Sequence, residues 1–447
     1  MKNVILIPSN TDLNRGDQAL VWESLRLIDD VYGKDEVCCK LMADLSDRDL
    51  NLQTSQTRRL GLDFVDSLLK HPGRRFLNKT NDSNSYSKST ILRWGLQAVI
   101  DYLHTFLLLS KIHSLRKLGE LFLSKNERAT LAEIKKADAI FVKGGGFIHS
   151  YGALTDAYFV YFLTFHIRLA TAYGKKVYML PNSIGPLKNK IAKRIAIKAL
   201  KDCKLVTVRE GISKELLDSL GVVSKLYPDL GFYLSPAETD MNAYLQSHGV
   251  PMNQKKVIMT LRPYRFQGHD NPDELYKEYI NGFVILVYDL INRGYHVTFM
   301  AHTLGPSTHE DDRLAIRSVL SVLTSEVRQL TSYIEDVNLT CKDVEKIYSY
   351  YDYMVGTRFH SVIFSLNVGV PSVAIAYGGN KGKGIMKVLG NDDFSIDMDK
   401  VRNYELVKVF KNLESQKNNY LMNLSEKRNI INMQREALIS EIRALLL

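Results

Sequence analysis

The sequence predicts two doubly wound α/β domains, and three observations support this fold class. Short apolar, strand-like stretches alternate with longer helix-like stretches in two separate runs along the chain. A polar, turn-rich passage at residues 228–255 separates the two runs. The length of 447 residues also exceeds the size at which one hydrophobic core usually divides. Alternating strands and helices are typical of a parallel sheet that helices cover on both faces.

The first run predicts an N-terminal Rossmann-like domain over residues 1–235. Apolar stretches predict strands at 4–8, 37–43, 139–143, 176–181 and 205–209. Helical spacing of apolar residues predicts helices at 19–31, 156–173, 190–201 and 213–220.

The second run predicts a C-terminal Rossmann-like domain over residues 250–400, after a linker near 235–255. Its strands are expected at 257–262, 296–301, 353–355 and 372–376. A helical segment at 401–447 follows. Two such domains facing each other across a cleft form the arrangement known as GT-B-like, and this is the expected architecture.

An insertion at about 70–125 interrupts the first run. Its early part is polar and predicts a loop, whereas residues 91–109 are strongly apolar and predict a helix. Arg93, Asp101 and His104 interrupt the apolar stretch too often for a membrane span. Two interpretations stay open: a helix packed on the protein itself, or peripheral contact of 91–118 with an anionic membrane.

Composition limits the classes of function. The formal net charge of +10 favours acidic small molecules, anionic lipid surfaces or nucleic acid. The four cysteines show no metal-ligand spacing, so free buried thiols and no metal site are expected. The first residues are too short for a signal peptide and predict a strand, which indicates a cytoplasmic protein.

The most informative motif follows the predicted strand at 353–355. The segment Gly356-Thr357-Arg358-Phe359-His360 lies at the carboxyl end of that strand, where the next helix begins. Ligands of open α/β sheets bind at this edge, and helix N-termini favour anions. Arg358 offers a planar fork for a carboxylate or phosphate, and His360 can transfer a proton near neutral pH. The predicted ligand is a small anion.

Other motifs also follow predicted strands. Asn14, Gly16 and Asp17 lie between the first strand and first helix, where a well-made loop is the alternative explanation. The glycines Gly144, Gly145 and Gly146 would let backbone amides approach a ligand, although tight packing would also explain them. Arg209 and Arg262 end two further strands, where a surface ion pair is the alternative. Other histidines, including His302, are expected to be ordinary core or surface residues.

Together these stretches resemble the polysaccharide pyruvyl transferase family over about residues 3–390 without the insertion. The matching motifs are Asn14-x-Gly16-Asp17, the triple glycine, Val208-Arg209-Glu210, Pro228-Asp229, and Gly356-x-Arg358-x-His360 with Tyr377. The resemblance implies a GT-B-like fold and transfer of pyruvate from phosphoenolpyruvate to two hydroxyls of a sugar as a ketal. The chain departs from the family in two places. No aspartate closely follows the triple glycine, and Gly378 to Lys383 replace an acidic residue, Pro and Lys.

This resemblance and the strand-end chemistry assign roles. Arg358 and His360 would bind the donor with Arg209 and the triple glycine, His360 would be the acid, and Asp17 is a candidate base. Further cleft candidates are Asn14, Gly16, Asp229, Arg262, Tyr377 and Lys381. No cofactor, metal or nucleic acid is expected, and whether the acceptor sugar is lipid-linked stays open. The alternatives are a GT-B glycosyltransferase that uses a nucleotide sugar, and a catalytically inactive partner at the inner face of the membrane.

Overall fold

The computed structural model describes residues 1–9, 11–70, 88–266, 269–377 and 386–446. The chain forms two compact units. Unit 1 contains Met1–Thr11, Leu20–Asp229 and Arg435–Leu447, and unit 2 contains Asp12–Ala19 and Leu230–Gln434. The predicted domain bounds of 1–235, 250–400 and 401–447 did not anticipate two features. The loop at Asp12–Ala19 belongs to unit 2, and the last helix contributes residues to both units.

Unit 1 contains a parallel sheet whose strands come from the first half of the chain. Its strands are β1 (Lys2–Ile7), β2 (Val37–Ala43), β3 (Phe64–Asp66), β4 (Ala139–Val142), β5 (Gly145–Ser150), β6 (Lys176–Leu187), β7 (Leu205–Val208) and β8 (Lys225–Leu226). The strand order is β3-β2-β1-β4-β6-β7-β8, and β5 pairs with β6. The sequence order reverses between β1 and β4, where Val4 pairs with Ala139. This reversal is the topological switch point at which such sheets bind ligands.

Helices surround the sheet of unit 1, and all four residues of β4 are buried, as in a sheet covered on both faces. The helices are α1 (Arg15–Tyr32), α2 (Leu50–Thr54), α3 (Lys88–Thr105), α4 (His113–Leu121), α5 (Lys125–Lys136), α6 (Asp156–Ala172), α7 (Lys190–Lys201) and α8 (Gly211–Ser219). Helix α1 begins in unit 2 and continues in unit 1. The core joins strand residues such as Val142 to helix residues such as Phe165 and Leu131.

Unit 2 contains a second parallel sheet. Its strands are β9 (Lys256–Thr260), β10 (His296–Met300), β11 (Thr331–Ile334), β12 (Tyr353–Gly356), β13 (Ser372–Ala376) and β14 (Ser395–Asp397). Their order, β11-β10-β9-β12-β13-β14, corresponds to the 3-2-1-4-5-6 order of Rossmann folds. The switch point lies between β9 and β12, where Gly356 pairs with Thr260.

Further helices complete unit 2. They are α9 (Asn242–Ser247), α10 (Pro272–Asn292), α11 (Asp312–Val322), α12 (Ser325–Gln329), α13 (Cys341–Tyr348), α14 (Phe359–Asn367), α15 (Glu405–Ser415) and α16 (Lys417–Leu446). Among the described residues, no helix combines the length and the apolar character needed to cross a membrane. All four cysteines are free thiols, of which Cys39 and Cys341 are buried.

The predicted fold class of two parallel α/β sheets is confirmed. The predicted strand at 37–43 and helix at 190–201 have the observed bounds. Five observed strands were not predicted: β3, β5, β8, β11 and β14. Four of them span two to four residues, which is too short for a clear periodic pattern. The early part of the insertion, 71–87, lies outside the described residues.

Candidate functional site

The switch point of unit 2 positions the Gly-Thr-Arg-x-His motif. The backbone N–H of Thr357 donates to the carbonyl of Thr260, 3.1 Å away, which joins the ends of β12 and β9. Helix α14 starts two residues later at Phe359. A Cβ on Gly356 would lie 2.8 Å from Cγ2 of Val362 and 2.9 Å from Oγ of Ser361. Gly356 is therefore needed for close packing of α14 on the strand.

Arg358 precedes the first residue of α14 and is buried, with 6% of its surface exposed. Its Nε donates to Oδ1 of Asp312 at 2.8 Å, and its Nη2 lies 2.7 Å from the same oxygen. Within the part of the chain that the structure describes, buried Nη2 of Arg358 has no partner in hydrogen-bonding geometry, although it lies close to Asp312. Nε thus fixes the guanidinium to Asp312, and Nη2 keeps hydrogen-bonding capacity for an anion.

Asp312, the first residue of α11, holds this arginine from the opposite side of the switch point. It is completely buried, and its Oδ2 accepts the backbone N–H groups of His302 (3.0 Å) and Thr303 (2.9 Å). Burial alone would lower the pKa of Arg358, but the adjacent Asp312 carboxylate outweighs it and the pKa is raised. Arg358 is therefore charged at any physiological pH.

His302 follows β10 and lies in the same buried cluster. Burial lowers the pKa of His302 well below its usual value, and the nearby His360, Arg358 and Arg15 lower it further. The imidazole is therefore neutral. Its Nδ1 lies 3.0 Å from the hydroxyl of Tyr348, whereas its buried Nε2 has no hydrogen-bond partner among the described residues. An ordinary core or surface residue was expected here, and the structure places His302 beside Arg358.

The loop Asp12–Ala19 contributes Gly16 to this cluster. A Cβ on Gly16 would lie 2.3 Å from Nδ1 of His360, so only glycine leaves room for the imidazole. Oδ1 of Asn14 accepts the N–H groups of Gly16 (3.1 Å) and Asp17 (3.3 Å), and its Nδ2 donates to Oδ2 of Asp17 at 2.8 Å. Asn14 therefore organises the loop that packs on His360.

Buried polar contacts attach this loop to unit 2. Arg15 is 1% exposed and donates to the carbonyls of Asp12 (2.7 Å), Val337 (2.9 Å) and Asp336 (3.3 Å). The backbone N–H of Arg15 also donates to the carbonyl of His302 at 3.2 Å. A charged side chain that donates to several carbonyls in a buried site fixes the position of the loop.

Arg262 and Tyr377 follow β9 and β13 in the same unit. The guanidinium of Arg262 stacks over the ring of Tyr377 at 4.0 Å from the centroid. Buried Nε of Arg262 has no hydrogen-bond partner among the described residues. Lys381, the remaining candidate of this region, lies outside the described residues.

The triple glycine lies at the switch point of unit 1. Gly145 begins β5 and pairs with Asn182 of β6. A Cβ on Gly144 would lie 3.0 Å from the carbonyl of Pro181, and Gly145 has a φ of 149°. Close strand packing thus accounts for Gly144, and backbone conformation accounts for Gly145.

Arg209 and Asp229 form a second buried ion pair, within unit 1. Nη1 of Arg209 contacts Oδ2 of Asp229, whose side chain is completely buried. Nε of Arg209 donates to Oγ of Ser183 at 2.7 Å and lies 3.8 Å from Oε2 of Glu210. This arginine therefore faces two carboxylates and a hydroxyl.

The predicted site residues thus fall into two groups. Unit 2 brings together Asn14, Gly16, Asp17, Arg358 and His360, with Arg262 and Tyr377 in the same unit. Unit 1 contains Gly144, Gly145, Gly146, Arg209 and Asp229. Sequence reasoning missed Asp312 and the place of His302. For His302 the sequence did contain a signal, because His302 follows the carboxyl end of a strand, as Arg262 and Arg358 do.

The described residues contain no group of three or more His, Cys, Asp or Glu side chains placed to hold a metal ion. The unit 2 cluster contains the charged guanidinium of Arg358, a neutral imidazole at His302 and the imidazole of His360. Such a set can bind an anion and exchange a proton with it.

Solved structures with a similar fold are enzymes of the GT-B kind. A Glycyrrhiza uralensis glycosyltransferase, UGT73P12, matches with a TM-score of 0.57 at 10% identity, covering 100% of this chain and 96% of that one. A putative UDP-N-acetylglucosamine 2-epimerase from Listeria monocytogenes matches with a TM-score of 0.54 at 10% identity, covering 99% and 96%. At these identities the likeness establishes the fold alone.

The sequence comparison identifies a single family within this fold. The sequence profile of the polysaccharide pyruvyl transferases matches residues 14–379, and the chain belongs to that family. It is also 28% identical over 281 residues to the amylovoran biosynthesis protein AmsJ of Erwinia amylovora. The matched region covers 60% of this chain and 63% of AmsJ. The predicted family is thereby confirmed.

Proposed function

We propose that this chain transfers pyruvate from phosphoenolpyruvate to two hydroxyls of a sugar, which forms a ketal on a polysaccharide or its precursor. Membership of the pyruvyl transferase family supports the class of reaction. The observation that carries the proposal is the buried Arg358, held by Asp312 on one edge and two residues from His360. A trianionic donor with carboxylate and phosphate groups requires such fixed cationic donors in a site shielded from water.

The side chains of unit 2 suggest a sequence of steps. His360 donates a proton to the methylene carbon of the enol, and the C2 carbon becomes electrophilic. One sugar hydroxyl attacks C2 and loses its proton to a base, for which Asp17 is the candidate. The C2–O bond to phosphate then breaks, and phosphate leaves with that electron pair. The second hydroxyl attacks C2 and gives its proton to the imidazole of His360, which restores the acid. Arg358 stabilises the anionic groups of the donor throughout.

The packing of Gly16 on His360 supports this assignment. A general acid must be held at a fixed distance from its substrate, and the glycine backbone limits movement of the imidazole on one side. Asn14 holds Asp17 through a 2.8 Å hydrogen bond in the same loop. Acid and candidate base thus belong to one organised unit.

The first test measures phosphate release from phosphoenolpyruvate with lipid-linked and nucleotide-linked sugars as acceptors. His360→Gln should lower turnover by about a hundredfold or more with little change in donor affinity, since general acid catalysis contributes about 10²–10⁴-fold. The exposed His113→Gln is the matched control and should retain wild-type turnover. Equal activity of His360→Gln and the wild type across about pH 6 to 8 would remove His360 from the acid role.

A second test uses the close contact of Gly16. Gly16→Ala should push the imidazole of His360 aside, because the added Cβ would lie 2.3 Å from Nδ1. We expect a fall in turnover of at least about tenfold, since proton transfer depends on this geometry. Gly211→Ala is the control, because a Cβ at Gly211 meets no atom within 4 Å. Equal turnover of the two variants would contradict the packing argument.

The GT-B fold supports one alternative, a glycosyltransferase that uses a nucleotide sugar. Saturable binding of UDP or another nucleotide by calorimetry, with no binding of phosphoenolpyruvate, would favour it. An inactive partner of the biosynthetic enzymes is the second alternative, and it would bind neither donor. We also propose a cytoplasmic location, as the sequence predicts, and a sugar as the acceptor.

A further inference from the structure

The insertion of unit 1 exposes a continuous set of large apolar side chains. In α3, Leu92, Leu96, Val99 and Leu103 have relative exposures of 75%, 64%, 56% and 59%. They recur at intervals of four, three and four residues and therefore share one face of the helix. A helix usually buries its apolar face against its own protein, whereas α3 exposes this face.

The polar face of α3 is the one that packs on the protein. Asp101 is 5% exposed and accepts hydrogen bonds from Tyr158 of α6 (2.7 Å) and from Gln97 (2.8 Å). Thr105 is 1% exposed, and its hydroxyl lies 2.7 Å from that of Tyr161. Buried hydrogen bonds thus orient α3 with its apolar face towards solvent. A contiguous exposed apolar face of this kind marks an interaction site, so it calls for a partner that the described residues do not include.

Helix α4 extends the same kind of surface. Leu118, Leu121 and Phe122 have exposures of 45%, 72% and 61%. A Cβ on Gly119 would lie 3.0 Å from Cβ of Leu107 and 3.2 Å from the backbone nitrogen of Leu108, so α4 packs closely on the segment that follows α3. Below, the exposed apolar residues of Leu92 to Phe122 are called the 92–122 surface.

Basic residues outnumber acidic ones in this segment, although Lys111 lies 2.9 Å from Asp202 and Lys117 lies 3.6 Å from Glu120. Residues 88–125 contain six basic residues (Lys88, Arg93, Lys111, Arg116, Lys117 and Lys125) and two acidic ones (Asp101 and Glu120). Asp101 is buried, and Glu120 is partly buried and contacts Lys135 at 2.8 Å. Arg93, Lys111, Lys117 and Lys125 are exposed.

We propose that the 92–122 surface docks this chain on an anionic lipid bilayer. The apolar side chains would enter the boundary between headgroups and acyl chains, and the lysines and arginines would meet the phosphates. A second copy of the chain fits less well, because a two-fold contact would bring the same cations against each other. The proposal goes beyond the pyruvyl transfer reaction and does not depend on the identity of the donor.

The test is co-sedimentation of the full chain with vesicles of phosphatidylcholine alone and with about one quarter phosphatidylglycerol. The wild type should pellet with the anionic vesicles at low salt and much less at about 1 M salt, where charges are screened within about 3 Å. The double variant Leu96→Asp with Leu103→Asp should lower the partition coefficient at least about tenfold. Both side chains are exposed, so the fold should be retained.

Matched controls separate location from charge. Val223→Asp with Ile191→Asp adds the same two charges to exposed apolar sites elsewhere in unit 1 and should leave binding close to wild type. Arg93→Gln with Lys117→Gln should weaken binding several-fold, whereas the exposed pair Arg194→Gln with Lys198→Gln should change it little.

Three results would overturn the proposal. The wild type could stay in the supernatant with anionic vesicles at low salt. Leu96→Asp with Leu103→Asp could bind as well as its control. The chain could also sediment as a dimer that this double variant dissociates, without any vesicle binding, and the 92–122 surface would then belong to a second copy.

Discussion

Arg209 in unit 1 and Arg358 in unit 2 both lie at the carboxyl end of a parallel strand, and their surroundings differ. Each arginine directly follows a parallel strand or its short extension, is at most 9% exposed, and pairs with a completely buried aspartate side chain. Arg209 also faces Glu210 and Ser183. Among the described residues, Asp312 contacts Arg358, Glu310 lies close enough to raise its pKa, and His302 and His360 lie in the same cluster.

From this difference we expect a structural ion pair at Arg209 and a binding group at Arg358. Two carboxylates around Arg209 more than neutralise its charge, so an anionic ligand would meet net repulsion there. Asp312 neutralises Arg358, and the nearby guanidinium groups of Arg15 and Arg262 add positive charge, which favours an anion. The position of an arginine at a strand end therefore says less than the balance of charges around it.

The largest expected effect concerns the two aspartates. Asp312→Asn should lower the free energy of unfolding by about 3–5 kcal/mol, because it leaves a buried cation without a contacting carboxylate. Asp229→Asn should cost less, since Glu210 stays 3.8 Å from Arg209. Urea unfolding of both variants, with the exposed Asp393→Asn as control, measures the difference. A greater loss in Asp229→Asn would reverse the comparison.

The next effect concerns the arginines themselves. Arg358→Gln should weaken phosphoenolpyruvate binding by at least about tenfold, since a charge-assisted hydrogen bond contributes about 1.5–3 kcal/mol. Arg209→Gln should mainly lower stability and change donor affinity by less than about threefold. Calorimetry on the folded variants measures both affinities, and the exposed Arg317→Gln is the control. Equal losses in the two variants would instead support the role in donor binding that the sequence predicted for Arg209.

The strand ends could be predicted because central parallel strands are buried on both faces and appear as continuous apolar runs. This placed Arg209, Arg262, Arg358 and the triple glycine at the carboxyl edges of their sheets. The apolar pattern could not show that Asp312 forms an ion pair with Arg358. Asp312 is the first residue of α11 and lies 46 residues before Arg358 in the sequence. Contacts between distant residues depend on how the chain folds back, and spacing along one sequence does not contain that information.

The N-terminal loop was predicted only in part, because its contacts are also with residues far away in the sequence. Asn14, Gly16 and Asp17 were recognised as a loop between a strand and a helix, and such loops usually belong to the unit of that strand. Here the loop belongs to unit 2, through Arg15 and the pairing of Asn14 with Thr303. Gly16 could therefore not be assigned to His360 from the sequence.

The smallest effect compares buried histidines of the two units. Burial lowers the pKa of His166 in unit 1 to about 4, and its Nε2 accepts the N–H of Leu68 at 3.1 Å. His302 in unit 2 also has a lowered pKa. The folded pKa lies below the unfolded value of about 6.5, so the stabilisation is complete above that pH and is lost as pH falls towards 4.

For His166 this loss should reach about 2 kcal/mol between pH 7 and pH 5, at about 1.36 kcal/mol per pH unit below 6.5. Urea unfolding of His166→Gln and His302→Gln at both pH values checks it. The loss between pH 7 and pH 5 should be smaller in each variant than in the wild type, because one titrating group is absent. Comparing the two pH values within one variant cancels the pH-independent cost of the substitution. If both variants lose as much stability on acidification as the wild type, neither histidine is held neutral by its unit.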